Sequence, residues 1–527
     1  MARDDNKKTI LEGQAAINLW LEGVDVWNQW VADNPVADIS FEDADFRQYD
    51  KVSFERYMFP KGHVNFSRAQ FGKGDVYFDR ARFGEGDVDF SSAQFGEGDI
   101  SFEGAQFGNG SAYFFSAQFG PGNTDFSRAQ FSKGIVNFDF AQFGEGDVNF
   151  YSTQFGEGDA YFYNTLFSRG NVYFYCAQFG EGNVSFEGAQ FGQGFVNFYG
   201  TQFGTGDVYF DGAQFEQGDV SFYGTQFGEG TIGFSNVQFG EGDVSLASAK
   251  ILGRLEFSNL VKVHKISGLS FKFTTFEGPV DMDGNEFHCI PDFTNTKLSH
   301  QLSLSHFSVK PKMRNKGKLF VKTLIGLRQI WLGSQLRFSS TKKAIKLSRI
   351  MAKKFPWLAQ ATAADRQDID RLRRLKELAE SNKHHKLALD LHIEEMKCSR
   401  WIETPWHQLF TEFLFQKLGD YGRSILRPIL SLILLWLVCA PIYAVASNNK
   451  EISSDALIFS FSQMFSIIPS SKDARTESSQ ALYGTLIDGK LVVDVPHMVF
   501  AVAGVQSLAS VALVFLIGLA LRNRFRI

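Results

Sequence analysis

Phe95-Gly96-Glu97-Gly98-Asp99-Ile100-Ser101-Phe102-Glu103-Gly104-Ala105-Gln106 is one copy of a twelve-residue unit, F-G-E-G-D-V-x-F-x-x-A-Q, that repeats across residues 54–246. One Phe column runs Phe59, Phe71, Phe83, Phe95 and on in steps of twelve to Phe239. A second runs Phe54, Phe66, Phe78, Phe90 and on to Phe234, with Leu246 in the next slot. Neither column misses a step. Self-similarity at a fixed period marks a solenoid, whose units stack because none can bury its apolar face alone. A small or β-branched residue stands two before each Phe, as Ala93 before Phe95 and Ile100 before Phe102. Inward residues at i and i−2 are what one face of a short strand supplies.

Ala93-Gln94-Phe95 and Ile100-Ser101-Phe102 each fit an A-x-F centre, with a Gly-Asp insertion between them. In this the stretch resembles a Phe-rich pentapeptide-repeat β-helix. The resemblance implies a right-handed, four-sided β solenoid with a central Phe ladder. Four sides need two units, so each coil takes about 24 residues; a 20-residue coil would leave the insertions unplaced. With strands about 4.8 Å apart, eight coils make a rod about 40 Å long.

The net charge of −5 over 527 residues hides an asymmetry. Residues 1–250 carry 15 Lys and Arg against 35 Asp and Glu, a net of −20, and the remainder 38 against 23, a net of +15. Cys176, Cys289, Cys398 and Cys439 are far apart and form no C-x-x-C pair, which reads as reduced thiols. Residues 1–10 are charged and polar rather than a signal-peptide core, so the rod is expected in the cytoplasm.

Residues 10–33 carry Ile17, Trp20, Leu21, Val24, Trp27 and Val31 at helical spacing, ended by Pro35. An amphipathic helix there is a lid for the open first coil, whose edge would otherwise invite aggregation. Gly23, Trp27-Asn28, Trp30 and Pro35 also resemble the leader of many bacterial pentapeptide-repeat proteins.

On a 24-residue coil, Tyr151, Tyr175, Tyr199 and Tyr223 share one outward column, a candidate stripe for a cytosolic protein partner. Ladders of like residues also stabilise stacked strands by themselves, and that reading is preferred. Tyr161 and Tyr163 fall on the opposite side. The Gly96-Glu97-Gly98-Asp99 corner has the wrong period for calcium-binding repeats. Glycines at positive φ with an Asp closing the turn account for it without metal. The acidic surface is similar to that of small pentapeptide-repeat proteins that mimic DNA, a role the membrane segments downstream argue against.

Residues 250–305 read as degenerate final coils. From Asp292 to Asp365 no acidic residue occurs, while Lys310, Lys312, Arg314, Lys318, Lys322, Arg328, Lys342 and Lys343 accumulate among apolar residues. A basic amphipathic stretch favours an anionic lipid surface; no nucleic-acid-reading motif accompanies it. Residues 365–400 read as two amphipathic helices around Ser381-Asn382, and His384, His385 and His392 lack a metal-ligand motif. Arg371 to Arg400, then Asp420-Tyr421-Gly422-Arg423-Ser424 and Arg427-Pro428, resemble the juxtamembrane region of bacterial membrane-bound pentapeptide-repeat proteins.

Residues 429–446 and 499–521 are two spans of nearly bilayer length. Arg423 and Arg427 before the first, and Arg522, Arg524 and Arg526 after the second, place both termini in the cytoplasm of a bacterium with the spans in its inner membrane. Between them 456–469 is an apolar segment too short to cross, suited to a re-entrant half-helix. Span, half-helix, span resembles a two-helix channel pore domain over 423–527. The resemblance implies a homo-oligomer, a tetramer if a channel. The sequence after the half-helix, Ser466-Ile467-Ile468-Pro469, lacks a potassium filter motif.

Ser460, Ser462, Gln463, Ser466, Gln506, Ser507 and Ser510 are the candidate pore-lining residues, with helix packing the preferred alternative for the last three. No nucleophile elbow, phosphate loop or paired-carboxylate site is present, so no enzyme and no cofactor is expected. The domains read as 1–50 cap, 51–305 β-helix, 306–422 basic connector and hairpin, and 423–527 membrane domain. The expected function is a scaffold or sensor rod on a channel-like membrane domain, or else a membrane-anchored adaptor.

Overall fold

The computed structural model describes residues 9–314, 357, 360–405, 407–447, 454–466, 468–487 and 490–525. The chain forms two compact units, one of residues 1–313 and 363–398, the other of residues 314–362 and 399–527.

The first unit is a β solenoid of about 12 turns with about 24 residues per coil. Its strands are mostly two residues long and pair in parallel, through the regular repeats each with the residue 24 positions on, as Val76 with Ile100 and Ile100 with Thr124, and with offsets of 22 to 28 at the two ends. The Gln positions bridge in the same way, Gln70 to Gln94 to Gln118. The rings follow the backbone. Phe102 stacks on Phe78 and Phe126 with centroids 4.7 and 4.8 Å apart and planes within 3°. The neighbouring column, Phe90 to Phe114, meets it edge to face. Both geometries favour the ring quadrupole over a flat sandwich. Phe54, Phe66, Phe78, Phe90, Phe102, Phe114 and Phe126 are wholly buried. Where Thr replaces the usual Ala, its hydroxyl is satisfied: Thr153 donates to the Phe126 carbonyl and Thr201 to that of Phe174, both at 2.7 Å.

The corner corrects one expectation. Gly98 and Gly122 are not at positive φ; left-handed residues stand instead two after the Phe, at Ser92 (58°), Gly104 (62°) and Arg128 (56°). Gly98 is needed for proximity, because a Cβ there would lie 2.4 Å from the Gly74 carbonyl carbon of the coil below. The Asp of the corner ties coils together. Asp75 Oδ1 accepts the Asp99 N–H at 3.0 Å, and Asp99 Oδ1 that of Asn123 at 2.8 Å. The ladder continues through Asn123 to Asp147.

Both ends of the rod are covered. The N-terminal segment is not one helix: Ile10–Glu12 is a strand pairing with Asp38–Ser40, followed by α1 (Gly13–Leu21) and α2 (Val24–Asp33). The break falls at Gly23, whose φ of 96° a side-chain-bearing residue rarely adopts. Trp20 stacks on Phe54 and Trp27 on Phe41, so the indoles continue the core. Their N–H groups donate to the Ser53 and Met58 carbonyls at 2.9 and 2.7 Å. The coils themselves begin upstream of residue 51, since Phe41 stacks on Phe66 and Phe46 on Phe71. At the other end the pairing runs Leu255, Val280, Leu302.

A helix hairpin, α3 (Asp368–Ser381) and α4 (His385–Ser399), is held on the last coils. Arg374 donates to the Thr296 carbonyl, Arg371 to Asp292, and the Leu302 N–H to Asn382 Oδ1. Between the two helices, burial opposes ionisation of Glu395. Contacts from His392, Lys376 and Arg373 overcome it and hold its pKa near 2. His392 thus serves an ion cluster of the hairpin.

Phe150 is fully buried between Phe126 and Phe174. Phe150→Ala should cost about 3–5 kcal/mol, as a core truncation that stacked neighbours cannot refill. Thermal or denaturant unfolding of the rod measures this; an unchanged midpoint would contradict the ladder as the source of stability.

Candidate functional site

The second unit opens on a buried ion pair. Arg400 Nε donates to Glu412 Oε1 at 2.6 Å, and both side chains are only 6–7% exposed. Arg400 also donates to Gln416 and to the Tyr421 hydroxyl, and that hydroxyl donates to Glu412 at 3.3 Å. Burial raises the Tyr421 pKa well above the usual phenol range. Glu412 lies on α5 (Leu409–Gly419). Tyr421 lies in the link to the next helix, where Asp420, Tyr421 and Gly422 are three successive residues at positive φ (49°, 56°, 81°). That conformation is costly for Asp and Tyr, and the Arg400 contacts hold it. The Gly422 carbonyl accepts from Asn523, near the far end of the chain. Sequence reasoning noted Asp420-Tyr421-Gly422 only as a resemblance; the partner Arg400, twenty-one residues upstream of Tyr421, carried no local signal.

Two helices are long and apolar enough to cross a membrane, α6 (Leu426–Val445) and α9 (His497–Phe525). At 1.5 Å per residue α6 measures about 30 Å. Between them α7 (Ser454–Met464) inserts. Its place is fixed by polar bonds to both. Trp436 Nε1 donates to the Leu457 carbonyl and Ser460 Oγ to that of Trp436, each at 2.9 Å. Gln506 Nε2 donates to Ser460 O and Oγ, and its Oε1 accepts the Tyr443 hydroxyl at 2.7 Å. Ser507 Oγ donates to the Gln463 carbonyl and Ser510 Oγ to that of Met464. Met464 then packs with Leu432 and Leu513. Phe459 sits against Tyr443, so α7 descends alongside α6 from Tyr443 to Leu432. That is eleven residues, about 16 Å.

The candidate pore-lining residues are thereby located. Ser460, Ser462, Gln463, Gln506 and Ser510 are buried inside the unit, and Ser466 and Ser507 are half-buried. Ser460, Gln506 and Ser510 tie α7 into the unit and Ser462 donates to the Phe459 carbonyl, whereas Gln463 takes part through its backbone carbonyl, which accepts from Ser507. The polarity is the reverse of a water-soluble bundle. Leu430, Leu434, Val438, Phe500, Val505, Leu508 and Phe515 are all more than half exposed. Among the described residues the outer faces of α6 and α9 are apolar between ends that expose Arg427, His497, Arg522 and Arg524, while Gln506 and Ser510 lie inside.

The half-helix expectation of 456–469 is shortened at its end. After Met464 the chain turns, and Ser471 Oγ donates to the Phe465 carbonyl at 2.7 Å. A second helix, α8 (Ser471–Tyr483), returns along α7 to Tyr443, whose carbonyl accepts the Tyr483 hydroxyl. A two-stranded hairpin, Gly484–Ile487 with Lys490–Val493, then leads to α9. Sequence reasoning left α8 unassigned because it is polar. Its signal was the stripe Ala474, Ser478, Leu482 at helical spacing, which is the face it packs.

On the rod, Tyr151, Tyr175, Tyr199 and Tyr223 form a stacked ladder with centroids 5.1–5.4 Å apart. Beside it a shallow concavity of about 510 Å³ is lined by Asp125, Asp147, Tyr151, Tyr173 and Tyr175. A second exposed aromatic run, Phe115, Phe140 and Tyr163, was missed except for its Tyr. Of the membrane-surface candidates, Lys310 pairs with Glu286, Lys312 borders Asp368, and Arg314 is exposed. Lys318, Lys322, Arg328, Lys342 and Lys343 lie outside the described residues. Comparison of the chain with protein-family models, with curated proteins and with solved structures gives no match.

Arg400→Met should destabilise the second unit by about 3–5 kcal/mol, because Glu412 is left buried and unpaired. Adding Glu412→Leu should recover most of the loss. Thermal unfolding in detergent checks both; a single variant as stable as the parent would contradict the ion pair as a strut.

Proposed function

We propose that this is a non-enzymatic, multi-pass membrane protein of the bacterial pentapeptide-repeat kind. Its acidic solenoid is a cytoplasmic scaffold or sensor, and its second unit assembles with further copies into a channel-like domain. The observation that carries the reading is the inverted polarity of α6, α7 and α9. A face of exposed Leu, Val and Phe, with Gln506, Ser460 and Ser510 bonded inside, is stable where the surroundings are lipid. In water the same face would be a large apolar patch. The half-helix, carried to the middle of the spans from one side, matches the layout of a two-helix pore domain. One such unit encloses no conduit, so closed symmetry is required, fourfold by that resemblance. Arg423, Arg427, Arg522 and Arg524 support an orientation with both termini on the cytoplasmic side. The basic stretch from Lys310 onward then serves an anionic lipid surface.

One observation favours a second reading, an adaptor that conducts nothing. The tyrosine ladder adjoins Asp125 and Asp147, a combination suited to a partner segment rich in Lys or Arg. Current through planar bilayers separates the two. Purified full-length protein should give discrete current steps above the protein-free level. Assemblies that insert yet stay silent across voltage and salt would overturn the channel reading and leave the adaptor.

A further inference from the structure

The helix that sequence reasoning left unassigned poses a problem of solvation. Helix α8 begins beside Phe465, one residue past Met464, which is bonded to Ser510 near the middle of α9 and packed on Leu432 of α6. Its first turns therefore start level with Leu432, two turns into α6, and with the middle of α9, well inside the length of both apolar helices. Its packed face is Ala474, Ser478 and Leu482, with Leu482 and Tyr483 joining the cluster around Tyr443 and Phe459. The opposite face is exposed and carries Lys472, Asp473, Thr476, Glu477 and Gln480. Among the described residues no ion pair involves Lys472, Asp473, Arg475 or Glu477. Asp473 and Glu477 are one turn apart with like charge, an arrangement that weakens an isolated helix.

Charged side chains at that depth are not sustained against hydrocarbon; they face protein or a water-filled space. Lys472 could extend toward an interface, but the short carboxylates of Asp473 and Glu477 have far less reach. Among the described residues of this unit nothing covers them: Asp473 and Glu477 are exposed, and the mid-helix faces that α6 and α9 expose are apolar. We infer that the Asp473–Glu477 face of α8 lines an aqueous cavity closed by further copies of this chain. This rests on the reading of α6 and α9 as membrane spans. It moves the water-lining role from Ser460, Gln506, Ser507 and Ser510 to α8: the former bind the unit together, and the latter faces the cavity. Thr476 and Gln480 complete the lining, and Phe461 and Ile458, exposed on α7, are left for lipid or a neighbouring copy.

The experiment uses the full chain, with its four native cysteines replaced, reconstituted into phosphatidylcholine–phosphatidylglycerol vesicles. Single cysteines are placed by Asp473→Cys, Glu477→Cys, Thr476→Cys and Gln480→Cys on α8, and by Leu434→Cys and Phe515→Cys on the outer faces. Each is treated with a membrane-impermeant maleimide, and a fluorescent label on the same thiol is exposed to brominated lipid. The α8 thiols should react at close to the rate of a free thiol and escape quenching. Those at Leu434 and Phe515 should stay unreacted and be quenched several-fold. A bifunctional maleimide should join Glu477→Cys chains into dimers. If the α8 labels are quenched like those at 434 and 515, the cavity is refuted while the membrane reading stands. If all six sites react and none is quenched, the membrane reading itself fails. Reactive α8 thiols that never crosslink between chains would refute closure by further copies. Thr476→Cys and Gln480→Cys keep the test decisive should loss of either carboxylate disturb folding.

Discussion

Every coil of the solenoid depends on its neighbours in the stack for its backbone partners. Phe78 N–H donates to the Ser101 carbonyl and Phe102 N–H to that of Asp125, both at 2.7 Å. A two-residue strand cannot be stable alone, so the sum of such contacts along the stack is what makes the rod. The same spacing brings flat rings into offset contact and leaves no room for a Cβ at Gly98. It also lets one carboxylate per corner reach the next amide, as Asp99 reaches Asn123. Phe, Gly and Asp recur every twelve residues because one distance governs all three. The terminal coils lack a neighbour, and the indoles of Trp20 and Trp27 at one end and the α3–α4 hairpin at the other take its place.

This is why the rod was legible in the sequence and much of the second unit was not. A period repeated sixteen times in the column from Phe59 to Phe239 averages out any local ambiguity. The 24-residue coil, the buried Phe columns and the stacked tyrosines all followed from it. What failed was local geometry: corner glycines such as Gly98 and Gly122 serve close approach rather than positive φ, and Gly23 divides the lid into two helices. The two long apolar helices were equally visible, since hydropathy over twenty residues is a strong signal. The candidate polar residues of the half-helix and second span were found as a group, but whether they face inward or outward depends on pairing. Ser460 with Gln506 and Ser510 with Met464 are contacts forty-six residues apart. Polar α8 carries no hydropathy signal and had only a small-residue stripe to betray it.

The two halves of the chain distribute polar and apolar groups in opposite ways. In the rod, polar groups face water and aromatic rings fill the centre. In the second unit, apolar side chains of α6 and α9 face out, and the Gln506 amide and the Ser460 and Ser510 hydroxyls lie inside, each with a partner. Arg400 stands at the start of the 399–527 segment of that unit and, through Tyr421 and Glu412, fixes the left-handed link that delivers the chain into α6. Gly422 then meets Asn523 of α9, so the two apolar helices are joined at that end as well as through Gln506 and Tyr443.

The central claim is that lipid surrounds α6 and α9 while α8 faces water between copies of the chain. An electron cryomicroscopy map of the full-length protein in lipid nanodiscs tests it most directly. The account predicts a lipid belt level with Leu434 and Phe515, several copies about one axis, and the Asp473–Glu477 face of α8 turned toward solvent at that axis. A belt that leaves α6 and α9 bare, or a single copy with α8 against the lipid, would contradict it.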